Sequence, residues 1–480
     1  MILRNARDLR PFLRSSGSFL RSSAAGALNS RMPQPADIEI SGETHITPED
    51  ITPEGIDLEG RWVLPGLWDR HVHYGQWAMA SRRLDLAGAT SAAHAAVLVR
   101  EHLAENPPEP GVVHLASGFR DGLWRDEPSL ELLEFGDLPV ALLSADVHTL
   151  WLNAAATRFL GLPATDWFLR EQPAFDATRR ITEVPADVLD AWAIEGAALA
   201  ASRGVTGIRD FEMDDAPGAW ARRFASGFRG LRVRAVAYPH QTWPLPESDS
   251  PLLETGPYKL FTDGSLNTRT AWCWDDYPGT TGAGLPSYAP GELLAAAREG
   301  VARGLHPDIH AIGDRAVTEA IEVFEALGVP GVMEHVQLIR DEDVPRLAAL
   351  DVIASVQPEH AMDDRDVADH YWAGRTGRSF ALRSLLDAGV ELALGSDAPV
   401  APLDPWITMA AAVTRSRDGR DPWHPEQALT PLEALRATAH DLPGDLVIVD
   451  ADPLDPARLR DMPVHATMVA GTWTHGPYGS

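Results

Sequence analysis

The sequence predicts an α/β protein: a (β/α)8 TIM-like barrel, a small β-sandwich domain built from both chain ends, and an insertion over the barrel mouth. Short apolar runs, each followed by a polar residue and then a helical pattern, recur at spacings of roughly 25 to 40 residues, which suits repeated strand, loop and helix units. The chain has 480 residues, of which 45% are hydrophobic, so it can bury a large core and form more than one domain. Strand composition at both ends predicts that the two ends pair.

The predicted domain boundaries follow from these patterns. Residues 61–440 form the barrel, and residues 1–60 together with 441–480 form the β-sandwich domain. Residues 88–204 separate the first barrel strand from the next strand-like segment, residues 205–212. Large insertions after barrel strands shape the pocket at the carboxyl ends of the strands, so this segment is predicted to be a lid or pocket wall.

Composition excludes several classes of function. The 69 acidic and 41 basic residues give a formal charge of -28, which repels nucleic acid and anionic lipid surfaces. The single cysteine, Cys273, cannot form an internal disulfide. No apolar run approaches the ~20 residues that cross a bilayer. We therefore expect a cytoplasmic protein with no nucleic-acid or membrane partner.

The N-terminus allows two interpretations. Residues 1–31 contain six arginines, many serines and one acidic residue, Asp8, which resembles an organellar transit peptide. Residues 1–7 have equally good strand composition and lie where the first strand of the terminal domain is expected. We favour the strand, and the targeting alternative stays open.

Polar residues at the ends of the predicted strands indicate a metal site. An apolar run ending at Trp68 leads into His71 and His73, and alternating residues of a strand share a face, so both imidazoles can point at one centre. A lone pair of histidines is a weak signal. Further candidates stand at later strand ends, where barrel enzymes collect their catalytic groups. These candidates are Lys259, His310, His335 and Asp397.

Lys259 is the only lysine, against 40 arginines. Under such a bias, a lysine whose only function is its positive charge would have been replaced by arginine. Arginine stays protonated, whereas a lysine amine can lose its proton and act as a base, a Schiff-base former or a carbamate. The alternative is that Lys259 was kept by chance at a solvent-exposed position and has no special role. Composition alone does not decide between the two.

The ordered set HxH, Lys, His, His, Asp resembles the metal-ligand signature of the amidohydrolase superfamily. The strings YKLFTDGSL, HAIGD, MEHVQL, SVQPEH, LGSDAPV and DVHTLWLN resemble its amidohydrolase family 3 branch, which includes YtcJ-like proteins and N-substituted formamide deformylases. The resemblance implies that His71, His73 and Asp397 bind one metal ion and that His310 and His335 bind a second, with Lys259 bridging them as its carbamate. Zn²⁺ is the preferred ion; Mn²⁺, Co²⁺, Fe²⁺ and a one-metal site stay open.

The same resemblance implies hydrolysis of a carbon-nitrogen bond other than a peptide bond, in an N-substituted formamide or N-acyl amine. The metal activates water, and Asp397 takes its proton and delivers it to the leaving amine. Two other classes stay open: a non-hydrolytic lyase or isomerase on the same scaffold, and a catalytically inactive binding protein. A homodimer is expected from the superfamily alone.

Six further residues are predicted to contact the substrate. The inserted segment contributes His148, Trp151 and Asn153, which belong to the string DVHTLWLN. Positions at or just after barrel segments contribute Gln357, His360 and Arg415. Glu334 directly precedes His335, so strand alternation predicts that it faces the opposite side and is structural.

Overall fold

The computed structural model describes residues 1–13, 33–39, 55–106, 111–145, 148–246 and 248–478. Most of the possible targeting segment, residues 14–31, lies outside the described residues, as does Asp146 of the string DVHTLWLN. The described chain divides into two compact units. The larger unit comprises residues 1–77 and 194–480, and the smaller comprises residues 78–193.

The strands, in chain order, are β1 (Ile2–Asp8), β2 (Ala36–Glu39), β3 (Ile56–Asp57), β4 (Trp62–Leu64), β5 (Gly66–Val72), β6 (His114–Phe119), β7 (Val140–Ser144), β8 (Thr149–Leu152), β9 (Phe168–Arg170), β10 (Val205–Asp210), β11 (Arg232–Ala237), β12 (Leu253–Phe261), β13 (Pro307–Ala311), β14 (Gly331–His335), β15 (Val352–Val356), β16 (Leu392–Leu394), β17 (Ala439–His440), β18 (Leu446–Val449), β19 (Val464–Val469) and β20 (Thr472–His475). The α-helices are α1 (Arg10–Leu13), α2 (Tyr74–Ala80), α3 (Ala92–Glu105), α4 (Ala154–Phe159), α5 (Gln172–Thr182), α6 (Ala186–Ser202), α7 (Ala216–Ala225), α8 (Glu292–Ala302), α9 (Asp314–Leu327), α10 (Asp343–Ala348), α11 (His360–Tyr371), α12 (Leu382–Ala388), α13 (Pro405–Thr414) and α14 (Pro431–Thr438). Short 3-10 helices lie at Asp121–Leu123, Thr376–Arg378 and Pro425–Gln427.

The larger unit contains a nine-stranded sheet in which eight strands are parallel. Their order is β5-β10-β11-β12-β13-β14-β15-β16, and β17 pairs antiparallel with β5. The residues after β16 also reach β5. The amide of Asp397 donates to the carbonyl oxygen of His71 at 2.7 Å, and the amide of His73 donates to that of Ala398 at 2.8 Å. The predicted α/β class is confirmed, and hydrogen bonds link the two outer parallel strands.

Burial explains why these segments form the sheet and its covering helices. Every residue of β10 and β14 is buried, as expected for a parallel sheet that is covered on both faces. Helix α9 buries Ala316, Ala320 and Phe324 along one face at helical spacing and ends at Gly328, whose φ of 62° suits glycine. The carboxyl ends of the strands are thereby held in fixed positions.

Strands from both chain ends form a second, seven-stranded sheet in the larger unit. Its order is β2-β1-β4-β18-β19-β20, with β3 on β1. A tight turn at Ala470 and Gly471, with φ values of 48° and 84°, joins β19 to β20 in a hairpin. Because β4 joins this sheet, the sheet extends past residue 60. The described end strands form one sheet, so the second layer of the sandwich stays a prediction.

The smaller unit has a four-stranded sheet of its own, in the order β6-β7-β8-β9. Alternation divides its apolar side chains between two cores, since Leu142 and Trp151 pack on one face while Leu143 and Leu152 pack on the other. Residues 78–193 overlap most of the predicted insertion 88–204. Its role as a lid stays a prediction. No helix in the described part of the chain is long and apolar enough to span a membrane.

Candidate active site

A cavity of about 320 Å³ lies in the larger unit where the parallel strands end. Its walls include all six residues predicted as metal ligands, namely His71, His73, Lys259, His310, His335 and Asp397. These residues come from β5, β12, β13, β14 and the segment after β16, so a span of more than 300 residues converges on one place. The cavity has the size of a small-molecule site.

His71 is oriented by a buried hydrogen bond. Its Nδ1 lies 2.6 Å from Oε2 of Glu334, and its ring stacks on Phe211 with 3.8 Å between centroids. Because a carboxylate only accepts hydrogen bonds, Nδ1 is the protonated nitrogen and Nε2 keeps its lone pair. His71 is therefore prepared to bind a metal ion through Nε2.

Asp397 lies at the centre of the histidines. Its Oδ1 is 3.6 Å from Nε2 of His71 and 3.5 Å from Nε2 of His73. Its Oδ2 is 3.8 Å from Nε2 of His360. One group of donor atoms, from His71, His73 and Asp397, lies within 4.8 Å of one another, and so does a second, from His335, His360 and Asp397. One carboxylate thus joins two groups that could each hold a metal ion.

Asp69 holds the strand end that carries Asp397. Its carboxylate accepts the amide hydrogens of His71 at 3.0 Å and Ser396 at 3.0 and 3.1 Å. The segment between β16 and Asp397 consequently lies directly against β5, and Asp397 itself has a φ of 59°. These bonds fix the distance between Asp397 and the two histidines of β5.

Glu334 does not take the role that strand alternation predicts. It reaches the same interior as His335, where it contacts His71, because the backbone leaves the extended conformation at His335, with a φ of 74°, and at Val336, with a φ of 45°. Alternation holds only for extended backbone. The expectation that Glu334 faces away from the ligands was therefore wrong.

Lys259 and His310 line the same cavity, and His310 belongs to neither of the two donor groups found among the described residues. Nζ of Lys259 lies 3.2 Å from Oδ1 of Asp308 and over the ring of Phe211, 4.5 Å from its centroid. Nε2 of His310 lies 3.4 Å from Oδ1 of Asp263, and its ring is 4.5 Å from that of His335. Both residues are within the site, and each has a carboxylate neighbour.

A compensated set of buried charges lies beside the histidines. Nη1 of Arg209 is 3.5 Å from Oε1 of Glu334 and 3.6 Å from Oδ2 of Asp308. With Lys259 this makes two cations and two carboxyl groups, each at most 4% exposed. Burial raises the pKa of Asp308 to about 7, against the effect of Lys259. Removing one member would leave its partner buried and unpaired, which is costly.

Burial sets the protonation states that a metal site requires. It lowers the pKa of His71 and of His335 well below the ordinary value and that of His360 to about 4, so all three imidazoles are neutral at neutral pH. Burial also raises the pKa of Asp397 to about 8, with Lys259 opposing the shift. Neutral imidazole is the form that binds metal ions.

Unpaired nitrogen atoms show that this donor set fits a divalent metal ion. Within the described residues, Nδ1 of His335 and Nε2 of His360, the latter facing Asp397, are buried without a hydrogen-bond partner. Buried polar atoms normally have partners, so such atoms need an explanation. Imidazole and carboxylate groups are common ligands of Zn²⁺ and related ions, and a bound ion would supply the missing interaction.

The three predicted substrate residues of the larger unit occupy different environments. His360 lines the cavity. Gln357 is buried and donates from Nε2 to Oε2 of Glu334 at 3.3 Å. It therefore contacts the same carboxylate oxygen that holds Nδ1 of His71. Arg415 is fully buried, donates from Nε to the carbonyl oxygen of Trp423 at 3.1 Å and is absent from the cavity wall. A substrate contact is supported by this geometry for His360 alone.

The three predicted substrate residues of the smaller unit have local contacts. Nδ1 of His148, which is half exposed, lies 2.9 Å from Oε2 of Glu171. Trp151 is fully buried in its core. The side chain of Asn153 caps α4 by accepting from the amide of Ala156 at 2.8 Å. These contacts explain Trp151 and Asn153 structurally, and their contact with a substrate stays a prediction.

Sequence reasoning assigned no metal role to His360 and missed Asp69 and Arg209. A signal existed for His360, since it begins the helix that follows β15, the strand next to the one that His335 ends. Asp69 also had a signal, because it lies on the same strand face as His71 and His73. Nothing in the local sequence of Arg209 shows that its partners come from β13 and β14.

Substituting Glu334 is expected to weaken metal binding. Glu334→Gln keeps the size of the side chain but replaces the charged acceptor for Nδ1 of His71, and loss of such a partner typically costs 10- to 100-fold in metal affinity. Competition with a chromophoric Zn²⁺ chelator measures the change, with circular dichroism to verify folding. Glu322→Gln, on the exposed face of α9, is the control. Unchanged affinity in Glu334→Gln would contradict this role.

Gly395→Ala is expected to displace the same strand end. An added Cβ would lie 2.6 Å from the backbone nitrogen of His71 and 3.0 Å from its Cβ, so the backbone must shift. Overpacking of this kind typically costs ~1 to 3 kcal/mol, and here it also moves a proposed ligand. Thermal unfolding and metal content should both fall. Gly377→Ala is the control, since its Cβ would meet no atom within 4 Å. Equal unfolding temperatures and equal metal contents in the two variants would refute the expectation.

The fold and the site together define an α/β protein with a candidate metal site, in which histidines and one aspartate gather at the ends of parallel strands. The family model described as the amidohydrolase family matches residues 54–441. The chain belongs to the amidohydrolase family. The resemblance on which the sequence prediction rested is confirmed.

Three relatives are similar over most of the chain. Protein LONG AFTER FAR-RED 3 of Arabidopsis thaliana is 27% identical, covering 80% of this chain and 74% of its own length. YtcJ of Bacillus subtilis, named as an amidohydrolase, is 25% identical over 87% of this chain and 90% of its own length. The N-substituted formamide deformylase of Arthrobacter pascens is 25% identical over 89% of this chain and 91% of its own length.

A solved structure shows the same fold. It is described as an uncharacterized metal-dependent hydrolase from Pyrococcus furiosus and is 23% identical to this chain, with a TM-score of 0.74. The alignment covers 95% of this chain and 99% of that one. The arrangement of strands and helices is therefore shared over nearly the whole length of both chains.

Proposed function

We propose that this protein is a metal-dependent hydrolase that cleaves a non-peptide carbon-nitrogen bond in an N-substituted formamide or another N-acyl amine. The observation that carries the proposal is the position of Asp397, whose two oxygens each face histidine nitrogens in one cavity. The similarity to an N-substituted formamide deformylase supports the choice of bond. The linked outer strands support a further proposal, that the parallel sheet closes as a (β/α)8 barrel.

The metal would be held by the neutral histidines and Asp397. His71, His73 and Asp397 form one donor group, and His335 and His360 form the other with the same carboxylate. Lys259 as its carbamate and His310 complete the proposed set, with Zn²⁺ the preferred ion and one ion per chain an alternative to two. When bound, a divalent ion would polarise the scissile carbonyl, lower the pKa of a water molecule and favour ionised Asp397.

Asp397 moves the proton in the proposed reaction. A carboxylate oxygen accepts a proton from water as the new carbon-oxygen bond forms, and it returns that proton to the amine nitrogen as the carbon-nitrogen bond breaks. Burial raises the pKa of Asp397 and a bound cation would lower it, so the ionised carboxylate that accepts the proton depends on the metal. The products are a carboxylic acid and an amine.

Apolar walls and aromatic rings shape the rest of the cavity. Phe211, Tyr238 and Phe261 line it beside the ligands, and Leu266 and Ile312 add aliphatic surface. Such walls exclude water and bind hydrocarbon groups, while the histidine cluster supplies the polar end. The cavity therefore suits an amide with an apolar chain or ring next to the scissile bond.

Elemental analysis of the purified protein, beside a screen of N-formyl and N-acyl amines, tests the proposal. We expect one or two equivalents of a divalent metal per chain, hydrolysis of at least one formamide or acyl amine, loss of activity with a chelator and recovery with Zn²⁺, Mn²⁺ or Co²⁺. A metal-free protein that hydrolyses these amides would contradict the metal requirement. A metal-loaded protein that isomerises or decarboxylates substrates instead would favour the non-hydrolytic alternative.

A further inference from the structure

The cavity wall beyond the histidines is unevenly charged. Asp363 and Asp364, both on α11, belong to the wall, as does Asn267. Among the described residues, the wall contains no arginine, and its lysine, Lys259, is buried against Asp308. Apart from Lys259, the permanently charged side chains of this wall are therefore carboxylates.

The two aspartates differ in their partners. Oδ1 of Asp363 is 2.5 Å from Nη2 of Arg417, so its charge is compensated. Oδ1 of Asp364 accepts a hydrogen bond from Nδ2 of Asn267 at 2.7 Å, and Asp364 makes no ion pair within the described residues. Its half-buried position raises the pKa of its carboxyl group, which the bond from Asn267 opposes. Asp364 is thus a fixed carboxylate without a cation.

Helix geometry places Asp364 near His360, whose ring faces Asp397. His360 and Asp364 are four residues apart on α11, so they share a face, with about 5 to 6 Å between their Cβ atoms. Nε2 of His360 lies 3.8 Å from Oδ2 of Asp397. A substrate whose carbonyl lies at Asp397 therefore reaches Asp364 with a group several bonds further along its chain.

We propose that Asp364 selects substrates by charge, favouring an N-acyl amine that carries an ammonium group several bonds from the amide and disfavouring N-acyl amino acids that carry a carboxylate. This inference rests on the proposed function, and it chooses among the substrates that the family leaves open. An uncompensated carboxylate in a partly dry cavity attracts a cation and repels an anion, which discriminates in both directions. The apolar walls would hold the methylene groups between the amide and the ammonium.

Three formamides of matched length test the inference. Each has a four-methylene chain on the amide nitrogen, ending in an ammonium, a methyl or a carboxylate group. In the wild-type enzyme we expect kcat/KM to fall in that order. Asp364→Asn keeps the size of the side chain and removes its charge, so it should reduce the preference for the ammonium over the methyl compound by about tenfold.

Asp366→Asn is the matched control, because Asp366 lies on the same helix, is 69% exposed and pairs with Arg420 outside the cavity wall. This variant should keep the wild-type order of substrates. Equal loss of all three activities in Asp364→Asn would show a structural role and overturn the inference, as would a wild-type preference for the carboxylate compound.

Calorimetric binding of the same compounds separates this inference from the proposed function. If the enzyme hydrolyses the three formamides without regard to charge, the function stands and the selection by Asp364 is wrong. If it hydrolyses none of them but binds the ammonium compound more tightly than the methyl compound, with that difference lost in Asp364→Asn, the selection stands and the proposed hydrolysis is wrong.

Discussion

Asp397→Asn is expected to lower kcat by about 10²- to 10⁴-fold, the usual contribution of a positioned general acid and base. The amide keeps the size of the side chain but cannot accept and return a proton. The substitution also replaces the charged oxygens that face His71, His73 and His360 at 3.5 to 3.8 Å. Metal content should consequently fall together with activity. Steady-state kinetics and elemental analysis of the same preparation measure both effects.

Two comparisons make this expectation specific. Asp387→Asn changes an exposed aspartate that pairs with Arg383 at the surface, so its activity and metal content should match the wild type. If Asp397→Asn kept the wild-type kcat and the full metal content, Asp397 would have no part in the reaction. Lost activity with full metal content would separate the proton-transfer role from the ligand role, and we expect the loss to persist at saturating metal.

The converging side chains were predictable because parallel strands impose a simple rule. Residues that end parallel strands meet at one edge of the sheet whatever their separation along the chain. His71, His310, His335 and Asp397 each follow a short apolar run, so their meeting needed no knowledge of packing. The pairing of the chain ends was equally accessible, since β1, β18 and β19 have clear strand composition.

The supporting contacts were not predictable, because each depends on a local departure from regular backbone or on a distant partner. Glu334 and His335 share one interior because of the positive φ at His335, which no alternation rule anticipates. Asn153 belongs to a string that resembles the family, yet its side chain caps a helix. Arg415 follows a barrel helix in sequence, but the αL turn at its own position, with a φ of 52°, places it in the interior against Trp423.

The structure allows Lys259 two chemical forms with opposite requirements. As an ammonium, Lys259 and Arg209 balance Asp308 and Glu334, and Nζ lies over the ring of Phe211, a favourable position for a cation. As a carbamate, Lys259 loses its positive charge and adds a negative one, which leaves the buried acids in excess. Only nearby metal cations would restore the balance. The two forms therefore predict different responses to substitution.

We expect the carbamate form, and Lys259→Ala and Lys259→Arg test it. Loss of a bridging ligand should cost more than the roughly 10- to 100-fold that follows loss of an indirect partner, so both variants should be nearly inactive and bind less metal. Formate, acetate or propionate should restore activity to Lys259→Ala, because a small carboxylate can take the place of the carbamate oxygens. Arg303→Ala, which removes a cation that pairs with Glu299 on α8, should need no rescue.

The arginine variant decides between the two forms of Lys259. Arginine stays protonated and cannot form a carbamate, yet its guanidinium could still pair with Asp308 and lie against Phe211. If the ammonium form is the functional one, Lys259→Arg should keep wild-type metal content and much of the activity, and added carboxylates should have no effect on Lys259→Ala. Full activity and metal content in Lys259→Arg would thus reject the carbamate. They would leave Lys259 as a buried cation that balances Asp308.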